Sequence, residues 1–283
     1  MSSGIAFAFG AMVCFGLSDL VYKRAAGAGV PAHQLMMVQS WLYGVLVWVY
    51  GFATGGIHFN LQALWGVLAG VFAFTGFYNF AKSLAGGSVS INAPIFRLSF
   101  TLTAALAVLL LGEPLSLYKM AGLACALVAV WLLLGSNRGV AMTPKLRASL
   151  IRVLVATAAV GIANLIYKVG LTAGSTPVPL LIAQAAVVMT LSGALNLRIE
   201  GRLHFTRVAA AHACVTAVLL TAAFILLFEG LARGEASRLV PIAQMGFVVT
   251  AAVGFVFLGE PYTARKGVGL AFALAALAAL ALA

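Results

Sequence analysis

Residues 82–115 read KSLAGGSVSINAPIFRLSFTLTAALAVLLLGEPL, and residues 229–262 read EGLARGEASRLVPIAQMGFVVTAAVGFVFLGEPY. Laid over each other without a gap, they match Leu84 with Leu231, Gly87 with Gly234, Ser90 with Ser237 and Pro94 with Pro241. Thr103 matches Thr250, and Gly112-Glu113-Pro114 matches Gly259-Glu260-Pro261. The offset is constant at 147, close to half of the 283 residues. Self-similarity at half-length is an internal duplication, and in a chain this apolar it points to a protein built from two repeats.

The solvent for most of the chain is lipid. Apolar residues make up 63% and charged residues only 8%, against roughly 25% charged in an average soluble domain. Mean hydropathy is +1.10. A soluble fold of this size has too little interior to hide so much apolar surface. The apolar runs are continuous and rich in Ala and Leu, without a period of two, which excludes a β-barrel reading. The formal charge of +11 does not point to nucleic acid, because the basic residues sit singly at helix ends and in short loops and form no stripe. Cys14, Cys125 and Cys214 lie in apolar runs without paired spacing, so neither a disulfide nor a metal site is expected, and no cofactor is implied. Met1-Ser2-Ser3 lacks the positive start of a cleavable signal peptide.

Ten spans can be read, at about 4–22, 33–53, 61–84, 88–111 and 115–135, then 149–172, 178–197, 209–232, 238–257 and 266–283. The longest polar segment, 136–148, carries Arg138, Lys145 and Arg147 and links a first repeat at 1–135 to a second at 149–283. Five spans per repeat is an odd number, so the second repeat enters the membrane upside down. The expected fold is therefore an all-α polytopic membrane protein of ten transmembrane helices in two inverted five-helix repeats. Its substrate site is expected near the midplane between them. A second echo agrees: Gly16-Leu17-Ser18-Asp19-Leu20-Val21-Tyr22-Lys23 in span one faces Gly161-Ile162-Ala163-Asn164-Leu165-Ile166-Tyr167-Lys168 in span six. Loops after odd-numbered spans hold most of the Lys and Arg, including Lys23, Arg24, Arg198, Arg202 and Arg265. By the positive-inside rule that puts these loops in the cytoplasm and both termini outside.

The two Gly-Glu-Pro triplets, the Leu-Ala-x-Gly entry before Pro94 and Pro241, and the Gly-x-x-[Asp/Asn]-x-x-x-Lys endings of spans one and six resemble the drug/metabolite transporter superfamily. Within it the pattern is similar to the ten-helix EamA type, which includes exporters of amino acids and other metabolites. The resemblance covers both halves. It implies a basket of helices whose central cavity is lined mainly by spans one, three, four, six, eight and nine, with spans five and ten peripheral. It also implies cytoplasmic termini, opposite to the loop count. Asp19 stands where the family pattern usually has Asn, which Asn164 keeps in the second half.

An ionisable side chain within the hydrocarbon costs several kcal/mol unless paired or hydrated, so each is a functional candidate. Arg97 is the sharpest, and its repeat counterpart is the neutral Gln244. One reading has the Arg97 guanidinium binding a substrate carboxylate or phosphate. The other has it at the interface or paired internally with Asp19 or Glu229. Asp19 is either a cavity carboxylate for a substrate amine or a coupling proton, or one of a set of interface residues with Tyr22, Lys23, Tyr167 and Lys168. Lys82 and Glu229 hold equivalent places at the ends of spans three and eight, as gate charges or as helix ends in water. Glu113 and Glu260 sit where a carboxylate can meet the N-terminal end of the next helix. Tyr78, Asn79, Asn92, Asn164, Gln184, Gln244 and Ser18 are polar candidates that either line a site or tie helices together. Trp41 and Tyr78 offer an aromatic wall. Pro94 and Pro241 loosen spans four and nine as hinges, and Gly66 and Gly70 make a packing seam in span three.

The leading reading is a secondary-active exporter or exchanger in the cell (inner) membrane, acting as a monomer or weak dimer in the lipid bilayer on a small-molecule substrate. Amino acids or related carboxylates fit Arg97 with Asp19. A cationic or aromatic drug is the competing cargo. An intramembrane enzyme is disfavoured, because His33, His58, His204 and His212 show no HExxH spacing and no G-x-S-x-G occurs.

Overall fold

A computed structural model describes residues 3–84, 92, 95–133, 143–257 and 264–283. Among these residues there is no strand. In hydrocarbon a backbone must satisfy its own polar groups, and these Ala- and Leu-rich runs do so as helices. The first repeat contributes α1 (Ser3–Gly27), α2 (Ala32–Thr54), α3 (Leu64–Leu84), α4 (Ser99–Leu111) and α5 (Leu117–Leu133). The second contributes α6 (Pro144–Thr172), α7 (Pro177–Glu200), α8 (Arg207–Leu231), the pair α9 (Ala236–Gln244) and α10 (Gly246–Phe257), and α11 (Ala264–Leu282). Together α9 and α10 form the ninth span. Six helices, α1, α2, α3, α6, α7 and α8, are long and apolar enough to cross a membrane. The chain is an all-helical polytopic membrane protein.

Helix α6 begins inside the segment read as linker, because Thr143 accepts a hydrogen bond from the Leu146 N–H (3.2 Å) and Pro144 follows at the first helical position. Helix α1 runs five residues beyond the sequence estimate, to Gly27, which places Tyr22 more than a turn inside its end.

The packing obeys a two-fold exchange of the halves. Helix α3 lies on α6 as α1 lies on α8, and α3 lies on α7 as α2 lies on α8. Helix α4 packs on α6 as α1 packs on α9 and α10, and the pairs α2–α7 and α4–α9 each join equivalent spans. Helices α5 and α11 pack chiefly on each other, so they lie at the periphery. Single hydrogen bonds repeat the symmetry: Thr103 Oγ1 donates to Gly161 O (3.0 Å), and Thr250 Oγ1 donates to Gly16 O (3.0 Å).

Small residues let the backbones approach where spans cross. A Cβ built on Gly66 lies 2.4 Å from Leu180 O, and one on Gly70 lies 2.9 Å from Val187 Cβ, so the seam in α3 faces α7. Gly66→Ala is expected to push the two helices apart and cost about 1–3 kcal/mol. Thermal unfolding in detergent reads this as a lowered midpoint. Gly27→Ala is the control, since nothing lies within 4 Å of its Cβ.

Candidate functional site

Both half-symmetric spans are interrupted at one equivalent place. In span four the Leu98 N–H donates to Ile95 O (3.0 Å) and the Thr101 N–H to Leu98 O (3.0 Å). In span nine the Met245 N–H donates to Ile242 O (3.1 Å) and the Val248 N–H to Met245 O (2.9 Å). These tighter i→i+3 bonds replace the α-helical ladder at Leu98 and Met245, as at many functional hinges. Pro241, inside α9, withholds one more backbone donor four residues before the second break. Its counterpart Pro94 lies outside the described residues.

The breaks bring Arg97 and Gln244 together. Arg97 Nη1 donates to Gln244 Oε1 at 2.7 Å, so two positions related by the duplication touch across its two-fold axis. Arg97 Nη2 donates to the Asp19 carboxylate in an ion pair between the span-four break and α1. The guanidinium is 3% exposed and its carbon lies 5.8 Å from the Phe15 ring centroid and 5.7 Å from that of Phe96. An isolated guanidinium could not be held there; carboxylate, amide and two aromatic rings together replace its water. Of the sequence's two readings of Arg97, the structure has the internal pairing with Asp19. Arg97 Nε keeps no partner among the described residues.

Next to Gln244 lies one small chamber, and a second shares part of its wall. The first, ≈ 10 Å³, is lined by Asn164, Gln244, Tyr167, Phe15, Phe77 and Phe224 among others. The second, ≈ 30 Å³, is lined by Gln39, Ser40, Tyr43, Gln184, Phe77 and Phe224 among others. They have room for about one and two waters. Ala73, Phe77 and Phe224 are common to both walls, and Phe224 is the hub of an aromatic cluster, 5.6 Å from Phe15 and 5.9 Å from Tyr43 and Phe77. Asn164 Nδ2, Tyr43 Oη and Gln184 Oε1 are buried and unpartnered among the described residues. A groove of ≈ 570 Å³ elsewhere, between α1, α8 and α10, is walled by Leu17, Leu20, Val215 and Leu219 and opens on the flank; it is lined by none of the site residues.

At the face where α1 begins, charged side chains tie the helix ends together. Gly112 takes a left-handed conformation (φ 65°) that ends α4 and turns Glu113 inward. Both Glu113 oxygens then accept N–H groups at the start of α9, from Ala236 (2.8 Å) and Ser237 (2.8 Å). The carboxylate thus caps α9 across the repeat boundary, where it also complements the helix dipole. The sequence reading had it act on the next helix, α5. Glu235, at the N-cap position of α9, makes no cap bond of its own, because Lys119 takes its carboxylate. Lys119 Nζ also donates to Pro114 O (2.6 Å). On the same face Lys168 Nζ donates to Leu231 O (2.9 Å) and Gly234 O (2.6 Å), fastening α6 to the α8–α9 turn. Glu260 lies outside the described residues.

Residues 2–135 match the model of the EamA-like transporter family. Over those residues, a little under half of the chain, the sequence is similar to that family. A solved crystal structure of a protein is similar over 99% of both chains, with a TM-score of 0.82 and 16% identity, a likeness of fold. No curated protein matches the sequence.

Other candidates fall outside the centre of the helix bundle. Trp41 is 42% exposed, and its indole N–H reaches Met189 O at 3.4 Å. Tyr78 stacks on Phe74 and accepts from Lys82 Nζ at 3.1 Å. Asn79 donates to Thr75 O (2.8 Å) and accepts from Arg152 (3.4 Å). Asn92 is buried and ties Ser83 O (3.0 Å) to Ser149 Oγ (2.8 Å), a structural knot of spans three, four and six. Lys82 and Glu229 end helices on opposite faces and do not meet: Glu229 accepts from Tyr50 (3.3 Å) and pairs with Arg233. Tyr22 and Tyr167, read as interface aromatics, are 3% and 1% exposed. Tyr22 donates to Gln39 Oε1 (2.6 Å), and Tyr167 packs on Phe228 at 4.4 Å. Sequence reasoning passed over Tyr43, Gln39 and Phe224. The only signal was that Gln39, Ser40 and Tyr43 fall on one face of α2.

Proposed function

We propose that the protein exports or exchanges small zwitterionic metabolites, amino acids or related carboxylates, across the cell (inner) membrane by alternating access between its two repeats. The Asp19–Arg97 ion pair, joined to Gln244 at the two helix breaks, carries this reading. A substrate with one ammonium and one carboxylate replaces the internal pair term for term: its ammonium goes to Asp19 and its carboxylate to Arg97. No buried charge is left alone at any stage, which otherwise costs about 3–5 kcal/mol. A cation alone strands Arg97, and an anion alone strands Asp19. The same exchange parts α1 from span four, so occupation of the site and rocking of the repeats are one event. The helix breaks at Leu98 and Met245 supply the bend, and the Glu113 cap on α9 is the contact released when that face opens.

The test is counterflow in liposomes loaded with mixed amino acids. Labelled amino acid is expected to enter with wild type, and entry is expected to fall about 100-fold with Arg97→Ala. Flux untouched by that change refutes the carboxylate role, and flux driven by a pH gradient assigns a proton to Asp19. Transport of aromatic cations with no amino-acid flux moves the assignment to drug efflux, for which the rings of Phe15, Phe77, Tyr167 and Phe224 are suitable walls.

A further inference from the structure

We infer that the chamber between Tyr43 and Gln184 is a second subsite, which takes an uncharged substrate tail that both donates and accepts hydrogen bonds, a carboxamide above all. The inference rests on the zwitterion reading for the head group and adds a preference for what the head group carries. The chamber shares Phe77 and Phe224 with the one beside Gln244, so it lies one aromatic layer beyond the partner of Arg97. Its walls come from α2, α3, α7 and α8, of which α2 and α7 lie outside the set of spans that the family resemblance assigns to the cavity.

Its polar groups are unequal. Gln39 Oε1 is engaged by the Tyr22 hydroxyl (2.6 Å), and the Ser40 hydroxyl is engaged by Ser192 (2.6 Å) and Met37 O (3.0 Å). Tyr43 Oη and Gln184 Oε1 remain, buried to 5% and 2% exposure and unpartnered among the described residues. One is a donor and the other an acceptor. A carboxamide satisfies both, with its oxygen toward Tyr43 and its NH₂ toward Gln184. An aliphatic tail leaves both unpaired, a penalty that discriminates more strongly than any gain in contact. Among the described residues no Asp, Glu, Lys or Arg lines the chamber, so a charged tail enters without a counter-ion. At ≈ 30 Å³ the chamber is closed to any tail until the Phe77–Phe224 pair, now 5.9 Å apart, turns aside and merges it with its neighbour.

The experiment is competition against labelled alanine counterflow in proteoliposomes, with glutamine, methionine, glutamate and lysine as competitors. Methionine matches glutamine in length and lacks the amide. In wild type, glutamine is expected to compete about tenfold better than methionine, and glutamate and lysine worse than either. In the Tyr43→Phe/Gln184→Leu double variant the glutamine-to-methionine ratio is expected to fall within about twofold of one. A ratio does not depend on how much of the variant folds. A wild-type ratio near one, or a ratio the double variant leaves unchanged, overturns the subsite and leaves the two groups holding water only. Alanine flux that is lost in Arg97→Ala while the ratio is near one refutes the subsite alone. No amino-acid flux in wild type refutes the head-group reading and the subsite together.

Discussion

Asp19→Asn is expected to stop transport and to destabilise the protein, and adding Arg97→Gln is expected to restore the stability without the transport. Arg97 donates to Asp19 and Gln244 and lies between Phe15 and Phe96, with no other acid among its partners in the described residues. Removing one member of a buried pair leaves the other charge stranded, at a cost of about 3–5 kcal/mol. That corresponds to a fall in flux of roughly 100-fold or more, with a visibly lower thermal midpoint. Neutralising both residues removes the stranded charge, so the double variant unfolds near the wild-type temperature. It can no longer present a carboxylate and a guanidinium to a zwitterion, so counterflow stays at background. A purely structural ion pair behaves differently: the double variant then recovers flux along with stability. Thermal unfolding and counterflow on the same three proteins, wild type, Asp19→Asn and the double variant, separate the two cases.

Glu113→Ala is expected to open the face at which α1 begins. The substitution leaves the Ala236 and Ser237 N–H groups of α9 without their acceptors and removes an anion from the positive end of that helix. Two buried donors without partners amount to about 2–5 kcal/mol. That shifts a closed-to-open ratio toward the open form by about 30-fold or more. The readout is the rate at which an impermeant maleimide labels Leu231→Cys, placed at the fully buried end of α8, in a background without Cys14, Cys125 and Cys214. Labelling is expected to rise at least tenfold, and Glu113→Gln, which keeps one acceptor oxygen, is expected to fall between. Unchanged labelling refutes the role of Glu113 as the closing contact of that face.

The duplication made the ten-span inverted architecture legible, because a half-length offset in an apolar chain has few other meanings. Equivalence, however, is not contact. The pairing of Arg97 with Gln244 at offset 147 says only that they occupy the same place in two repeats. They touch because that place lies on the two-fold axis, which no sequence pattern marks. Glu113 shows the same limit: the motif placed a carboxylate near a helix start, but only the inverted packing of α4 on α9 chooses which helix. Tyr22 and Tyr167 were misleading for a local reason. An aromatic beside a lysine near a helix end looks like a headgroup anchor, and α1 and α6 both run on past that point. Asn79 and Asn92 illustrate the converse, since an amide in a bundle reads the same from sequence whether it faces a cavity or knots helices together. Phe224 offered nothing polar to notice. Its place at the centre follows only from the five rings around it.

The most direct measurement compares counterflow of one labelled amino acid with that of its decarboxylated amine and its deaminated acid, in wild-type proteoliposomes. Replacement of the Asp19–Arg97 pair predicts that the zwitterion is carried and that each singly charged analogue is carried at least about 100-fold more slowly, since each strands one buried charge. An amine carried as fast as the zwitterion contradicts the account, because Arg97 would then sit unpaired in the occupied site at no cost.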